Sequence, residues 1–327
     1  MCTAITYKTK DLYFGRTLDL EYHYSESVTV TPRRYPFQFR QGGAMKEHYA
    51  IIGIATVADG YPLYYDAVNE KGLSAAGLAF WESAKYNAVR PERDNIASFE
   101  LIPWVLSQCA TLSETRELIG RLNVTDGAFS DAFPPSPLHW MIADGEGAIV
   151  LESTADGLKI YDDPIGVLTN EPPFEYHMTN LNNYINLTPN EPKGRFAEGT
   201  DLRAYSRGMG AIGLPGDLSS GSRFIRAAFT KLNSISGDSE DESVCQFFHI
   251  LGAVSQTRGC VRLDKLGGEK HERTVYTSCA NASKGIYYYT TYENRRISAV
   301  DMHREDPEGS RLAIYPLEYE SDVKIVN

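Results

Sequence analysis

The chain has 327 residues, with 32 basic and 43 acidic side chains (formal net charge −11), 42% apolar and 23% charged residues. That usage is ordinary for a globular protein and excludes a disordered tail or a collagen-like repeat. The acidic balance, without a clustered Lys/Arg footprint, argues against a nucleic-acid groove, and the longest apolar run, Tyr49 to Ala58, falls far short of the ~20 residues of a membrane span.

From the N-terminus, Ala4–Tyr7, Leu12–Arg16 and Ser27–Thr31 are short β-branched or aromatic runs between charged breaks, and read as strands. Ala50–Ala58 and Pro62–Asp66 read as a hairpin on the turn Asp59-Gly60. Ser74–Phe80 is a strand of small residues, where another group can approach the backbone. Ser98 is suited to cap a helix that takes Pro103 in its first turn. Thr111-Leu-Ser-Glu114 matches a capping box for a second helix, to about Leu122. Leu138–Ala143 and Ala148–Ser153 read as strands joined by Asp144–Gly147. Arg223–Leu232 and Ser243–Ser255 have amphipathic helical spacing, with Asn233–Glu242 as a loop between them. Thr274–Cys279, Gly285–Thr291, Ile297–Met302 and Leu312–Tyr315 read as closing strands. Regular β-α-β alternation is absent, so the order predicts an α+β fold of antiparallel sheets with helices packed on them.

Several familiar motifs fail on their context. Gly208-Met-Gly210-Ala-Ile-Gly213 matches G-x-G-x-x-G, but Pro215 and Gly216 follow at once and no helix can start there to bind a pyrophosphate. Gly72-Leu-Ser74-Ala-Ala-Gly77 misses the nucleophile elbow by one residue. No Gly-Lys dipeptide supports a P-loop, and the seven histidines lack metal-ligand spacing, so neither a cofactor nor a metal is expected. The five cysteines are an odd set without a C-x-x-C pair, which argues against a disulfide scaffold. With no basic leader ahead of an apolar core, the cytoplasm is the expected compartment.

One cysteine stands apart. If Met1 is removed, Cys2 supplies a thiol nucleophile and, on the same residue, an α-amine of pKa roughly 7.7–8.0 able to act as its base. Phe14-Gly-Arg16-Thr-Leu18-Asp19 adds a guanidinium and a carboxylate three residues apart. A cation beside Cys2 would favour thiolate, and a carboxylate could hold the amine. A surface ion pair is the plainer reading of the same two residues.

Met1-Cys2-Thr3, Phe14-Gly-Arg16-x-Leu18-Asp19, Asn69-Glu-Lys-Gly-Leu-x-x-Ala-Gly-Leu78 and Pro164-Ile-Gly-Val-Leu-Thr-Asn170 occur in order along the chain. Gly213-Leu-Pro-Gly-Asp217, Ser222-Arg223-Phe and Tyr289-Thr-Thr-Tyr-Glu-Asn294 follow. Together they resemble the choloylglycine hydrolases, that is, bile salt hydrolases and penicillin V acylases. The resemblance implies an N-terminal-nucleophile hydrolase fold, an αββα sandwich of two stacked antiparallel sheets between helical layers, with residues 1–327 as one domain and a homotetrameric assembly. It implies hydrolysis of a linear amide through an acyl-cysteine. Carried over by motif, Cys2 is nucleophile and, through its amine, base. Arg16 tunes the thiol, Asp19 holds the amine, Asn170 donates its side-chain amide to the oxyanion, and Arg223 completes the polar network. The second oxyanion donor is the backbone N–H of Ala79.

Ala79 stands where bile salt hydrolases usually carry Asn and penicillin V acylases tend to carry Tyr; Trp81 stands where bile salt hydrolases usually carry Pro. Leu18, Tyr24, Tyr65, Trp81 and the Phe129–Pro137 loop are candidates by position for an apolar substrate pocket. The leading expectation is a small-molecule substrate, a glycine- or taurine-conjugated bile acid. The alternative is penicillin V or another N-acyl amide such as an acyl homoserine lactone. A catalytically silent binding protein and a cysteine enzyme with a separate histidine base are the competing classes.

Overall fold

The strands in the first eighty residues of the chain are those its apolar runs call for, together with a short pair, Phe37–Phe39 and Gly43–Met45, that no run announces. In the computed structural model, which describes residues 1–194, 196–263 and 270–327, they are β1 (Cys2–Lys8), β2 (Leu12–Leu20), β3 (Ser27–Thr31), β4 (Phe37–Phe39), β5 (Gly43–Met45), β6 (Ile51–Ala58), β7 (Tyr61–Asn69) and β8 (Ser74–Ala79). Then come β9 (Asp94–Ala97), helices α1 (Leu101–Gln108) and α2 (Leu112–Ile119), β10 (Leu122–Thr125), β11 (Leu138–Ala143), β12 (Ala148–Thr154), β13 (Gly157–Asp162) and β14 (Val167–Leu168). Helices α3 (Phe174–Asn180), α4 (Ser220–Asn233) and α5 (Glu240–Gly252) precede β15 (Val261–Leu263), β16 (Lys270–Asn281), β17 (Ile286–Thr291), β18 (Ser298–Asp301) and β19 (Ala313–Pro316).

Two antiparallel sheets carry the molecule. One runs β14-β1-β2-β16-β17-β18, with β15 paired to β16; the other runs β13-β12-β11-β8-β7-β6-β3-β19. Helices α4 and α5 pack on the first sheet, and α1 packs on β6, β7 and β8 of the second. This is the expected αββα order. A core of Ile5, Phe14, Val68, Met141, Phe224 and Phe247 joins the two sheets and the α4/α5 layer; a second, around Trp104, Val105, Trp140 and Ile142, lies under α1 and α2. Burying each such side chain stabilises the fold by roughly 1.5–3 kcal/mol.

Local chemistry explains both the agreements and the misses. Asp59 and Gly60 both adopt positive φ (49° and 75°), as a two-residue hairpin with the twist of its strands demands. A Cβ on Gly15 would collide with the Ser278 carbonyl, so only glycine lets β2 lie against β16 there. Ser98 does not cap the first helix. It lies inside a 3-10 turn, Ser98–Glu100, and the Glu100 carboxylate accepts the Ala97 N–H at 2.9 Å instead. Thr111 caps α2, accepting the Glu114 N–H at 3.2 Å, but Leu122 has left the helix for β10, parallel to β9. The polar segment expected as a loop to Glu242 contains the start of α5, because Ser239 and Glu242 form a capping box. Strands β13 and β14 and helix α3 lacked a legible periodic signal. After the G-x-G-x-x-G run, the next α-helix begins only at Ser220.

Candidate active site

The β1–β2 hairpin assembles half of the site by register alone. Cys2 pairs with Leu18 and Ala4 with Arg16, so the side chains of Leu18 and Arg16 share one face of the sheet while Thr17 and Asp19 share the other. Cys2 is 3% exposed.

Arg16 reaches from the first sheet into the second. The β7–β8 ladder stops at Asp66–Ala76, and the carbonyls of Tyr65 and Gly77, beyond its end, both accept from Arg16 Nη1, the former at 3.2 Å. Its Nε donates to the Thr17 carbonyl at 3.2 Å, while the buried Nη2 has no hydrogen-bond partner among the described residues. Burial opposes the charge of this guanidinium, but Cys2, Tyr276, Asp66 and Asp19 around it outweigh that and raise its pKa. Asp66 is itself fully buried. Burial raises its pKa, and hydrogen bonds from Tyr276 (2.9 Å), Ser278 (2.9 Å) and Tyr287 offset part of that cost.

Asp19 occupies the opposite face. Its carboxylate accepts from Thr274 Oγ1 at 2.6 Å, Thr17 Oγ1 at 3.0 Å and Gln256 Nε2 at 3.4 Å. Its backbone holds the residue before Cys2: the Met1 ammonium donates to the Asp19 carbonyl at 2.6 Å, and the Asp19 N–H donates to the Met1 carbonyl at 2.9 Å. The ammonium also pairs with Glu272, whose pKa burial raises.

Asn170 and Arg223 close the other side. Asn170 Oδ1 accepts the Cys2 N–H at 2.9 Å and Arg223 Nη2 at 2.6 Å, while Asn170 Nδ2 donates to the Ala79 carbonyl at 2.8 Å. This leaves the side-chain amide beside the end of β8. Arg223, one turn into α4, donates further to the Cys2 carbonyl, to Thr3 Oγ1 at 2.7 Å and, through Nε, to the Leu218 carbonyl at 3.0 Å. Burial lowers its pKa, with Asp19, Cys2 and Glu272 countering. Cys2, Arg16, Asp19, Ala79, Asn170 and Arg223 therefore meet at one end of the paired sheets, although 221 positions separate Cys2 from Arg223.

Residues 2–315 match the family model for linear amide C–N hydrolases of the choloylglycine hydrolase family. The chain belongs to this family. It is accordingly a hydrolase of linear amide C–N bonds. It is 51% identical over 327 residues, all of both chains, to a bile salt hydrolase/transferase of Lactiplantibacillus plantarum, and 38% identical over 333 residues, again all of both, to one of Clostridium perfringens. Among solved structures, the C2A mutant of the conjugated bile acid hydrolase from Clostridium perfringens superimposes with a TM-score of 0.92 at 37% identity, covering all of both chains. A penicillin V acylase from Agrobacterium tumefaciens reaches 0.75 at 18% identity over 96% of this chain and 90% of its own, which shows a shared fold.

In this member of the family the pocket candidates fall in different places. Leu18 is buried beside Cys2. Tyr65 touches Arg16 through its carbonyl and shares Thr56 with Tyr24: Thr56 Oγ1 lies 2.9 Å from the Tyr65 hydroxyl and 3.0 Å from the Tyr24 carbonyl. Trp81 is 67% exposed, in a loop that Glu171 ties down by accepting the Glu82 and Ser83 N–H groups at 3.0 and 2.9 Å. Phe129 packs with Tyr61, Phe99 and Phe133 under the guanidinium of Arg40, against the α1/α2 core.

Sequence reasoning missed Asp66, Glu272, Thr274 and Gln256, and the buried His139, Glu152 and His177. The signal available was an ionisable residue inside an otherwise apolar strand, as for Asp66, His139 and Glu152; such groups are seldom buried unless paired. The other thiols differ from Cys2: burial pushes Cys109 up to about 11 and Cys279 well above the ordinary thiol range, and Cys245 and Cys260 are exposed.

Proposed function

We propose that this chain hydrolyses the amide bond of glycine- and taurine-conjugated bile salts through an acyl-cysteine intermediate. The observation that carries the reading is the meeting of Cys2, Asn170, Arg223 and the end of β8 in a chain 51% identical, along its whole length, to a protein named bile salt hydrolase/transferase.

Removal of Met1 converts the Cys2 nitrogen from an amide into a primary amine of pKa roughly 7.7–8.0, a usable base at neutral pH. The thiol then adds to the bile acid carbonyl while the amine takes its proton. The oxyanion receives hydrogen bonds from Asn170 Nδ2 and the Ala79 backbone N–H; one such donor is typically worth ~2.7–4 kcal/mol. The amine returns the proton to the leaving nitrogen, the C–N bond breaks, and glycine or taurine departs. Water, deprotonated by the same amine, attacks the thioester, releases the bile acid and restores the thiol. Arg16 supplies a fixed positive charge on the thiol side, Asp19 orients the freed amine, and Arg223 holds the Cys2 carbonyl and Asn170 Oδ1. Leu18, Tyr24 and Tyr65 line the substrate pocket beside the thiol, and the loops that carry Phe129 and Trp81 border it. Neither a cofactor nor a metal enters.

The whole chain, residues 1–327, acts as one domain, supported by a site whose members come from β1, β2, β8 and α4. A homotetramer is supported by the exposed apolar side chains Ile185, Phe196, Tyr205 and Ile212, of the kind association covers. A cytoplasmic setting is supported by five cysteines that are all free thiols.

The test is amine release from glycocholate and taurocholate beside penicillin V, with the intact mass measured on the same sample. The reading expects a chain lighter by one methionine, brisk bile salt cleavage, and loss of all turnover in Cys2→Ala. No bile salt cleavage together with brisk penicillin V cleavage would overturn the substrate; full activity in Cys2→Ala would overturn the chemistry.

A further inference from the structure

Asn170 lies two residues beyond β14, in irregular backbone with no ladder to hold it. Three side chains from three different elements hold it instead. Its N–H donates to Ser220 Oγ, at the start of α4, at 2.9 Å. Its carbonyl lies 2.9 Å from Nε2 of His177 on α3. The carbonyl just before it, that of Thr169, lies 3.0 Å from Nε2 of His139 on β11. The two imidazoles cannot easily turn away. His139 is fully buried and stacked on Phe80, at 4.3 Å between ring centroids and 8° between planes; His177 is stacked on Phe224 at 4.8 Å and 18°.

His139 poses a proton-counting problem. Its Nε2 faces the Thr169 carbonyl and its Nδ1 faces Glu152 Oε1 at 3.0 Å; that oxygen also accepts the Phe174 N–H at 3.0 Å. Both ring nitrogens thus face acceptors, and a neutral imidazole has a single N–H. The two contacts coexist only if the His139–Glu152 pair holds one proton more than a neutral imidazole beside a carboxylate. The pair is then imidazolium–carboxylate, or imidazole beside a protonated carboxyl. In either arrangement Nε2–H points at Thr169, so Glu152 sets which nitrogen donates.

We infer that His139, with Glu152 behind it, and His177 are positioning residues that clamp the 169–170 backbone and so aim the Asn170 side-chain amide at the oxyanion; the inference rests on the oxyanion role proposed for Asn170 above. His177 suits the task because burial pushes its pKa down to about 4, leaving it neutral with its single N–H free to sit on Nε2. Glu152→Gln isolates the effect. An amide oxygen at the same place accepts from Nδ1–H and from Phe174, so a neutral His139 turns a bare Nε2 towards the Thr169 carbonyl. Only the imidazolium then donates to both. The ionisable groups facing this pair are His177 across the ring layer and Tyr161 on β13, with Glu175 beyond Tyr161.

The experiment measures kcat and KM for glycocholate between about pH 5.5 and about pH 7.5 in wild type, Glu152→Gln, Ser220→Ala and Asn170→Ala, with thermal unfolding alongside. A clamp misaligned by a fraction of an ångström costs on the order of tenfold to a hundredfold. Glu152→Gln is expected to lose that much kcat across this range and to keep KM. Ser220→Ala, whose side chain is half-exposed, is expected to fold and to lose about tenfold in kcat. A folded Glu152→Gln with wild-type kcat, beside a crippled Asn170→Ala, overturns the clamp alone. If Glu152→Gln does not fold, wild-type kcat in Ser220→Ala overturns it. An Asn170→Ala enzyme with wild-type kcat overturns the oxyanion role and the clamp with it.

Discussion

Asn170 does two jobs with one amide, and a pair of substitutions can separate them. Asn170→Ala removes Nδ2, the donor beside Ala79, and Oδ1, which accepts from Cys2 N at 2.9 Å and Arg223 at 2.6 Å. Losing one oxyanion donor removes ~2.7–4 kcal/mol of transition-state stabilisation, which lowers kcat about 10²–10³-fold. Losing Oδ1 strands a buried guanidinium N–H, at about 1–3 kcal/mol of stability, so the unfolding temperature falls as well. Asn170→Asp keeps an acceptor at the Oδ1 position for both donors and offers Arg223 a carboxylate, but sets an oxygen where Nδ2 was. It should unfold at a lower temperature than wild type, because that oxygen lies against the Ala79 carbonyl, and turn over no faster than Asn170→Ala, because it also repels the developing oxyanion. The assay is steady-state amine release from glycocholate with calorimetry on the same preparations. A folded Asn170→Asp enzyme within about tenfold of wild-type kcat would refute the donor role.

Other consequences follow from the same geometry. A chain that retains Met1 should be inactive, since its Cys2 nitrogen is an amide donating to Asn170; intact mass and activity must then rise and fall together across partially processed samples. His177 gives a pH signature. Its pKa falls from 6.5 to about 4 on folding, so the unfolded chain binds more protons between those values, and the stability this residue contributes is lost as pH drops from 6.5 towards 4. At 1.36 kcal/mol per unit that is about 3 kcal/mol, visible as a pH-dependent difference in unfolding temperature between wild type and His177→Phe; a difference that does not change with pH would contradict it. Trp81→Ala should leave stability within about 0.5 kcal/mol, because the ring is 67% exposed, while raising KM for conjugated bile salts at unchanged kcat. An unchanged KM would remove Trp81 from the pocket.

Much of this was legible along the chain because it is local. The apolar runs, the Asp59-Gly60 turn and the capping box at Thr111–Glu114 depend on neighbours a few residues away, and those elements form where expected, within a few residues at their ends. Ser98 failed as a cap because Glu100, two residues on, offers the backbone a stronger acceptor. The start of α5 was hidden because the residues that cap a helix are the same polar types that fill loops.

The sequence by itself pointed to an antiparallel two-sheet architecture, the family, and the candidates Cys2, Arg16, Asp19, Asn170 and Arg223, since each of these sits in a motif, with Ala79 just beyond the end of one. Only the tertiary structure decided how they are supported. Arg16 reaches the second sheet because β7 and β8 part beyond Asp66–Ala76; Asp19 faces the other way because side chains alternate along a strand. Thr274, Gln256, Glu272, Asp66 and the two buried histidines enter the site from strands, helices and a loop remote in sequence from Cys2. No spacing encodes such contacts: they exist because burying a charge or an irregular peptide leaves it in need of partners, and packing alone determines which side chains are near enough to serve.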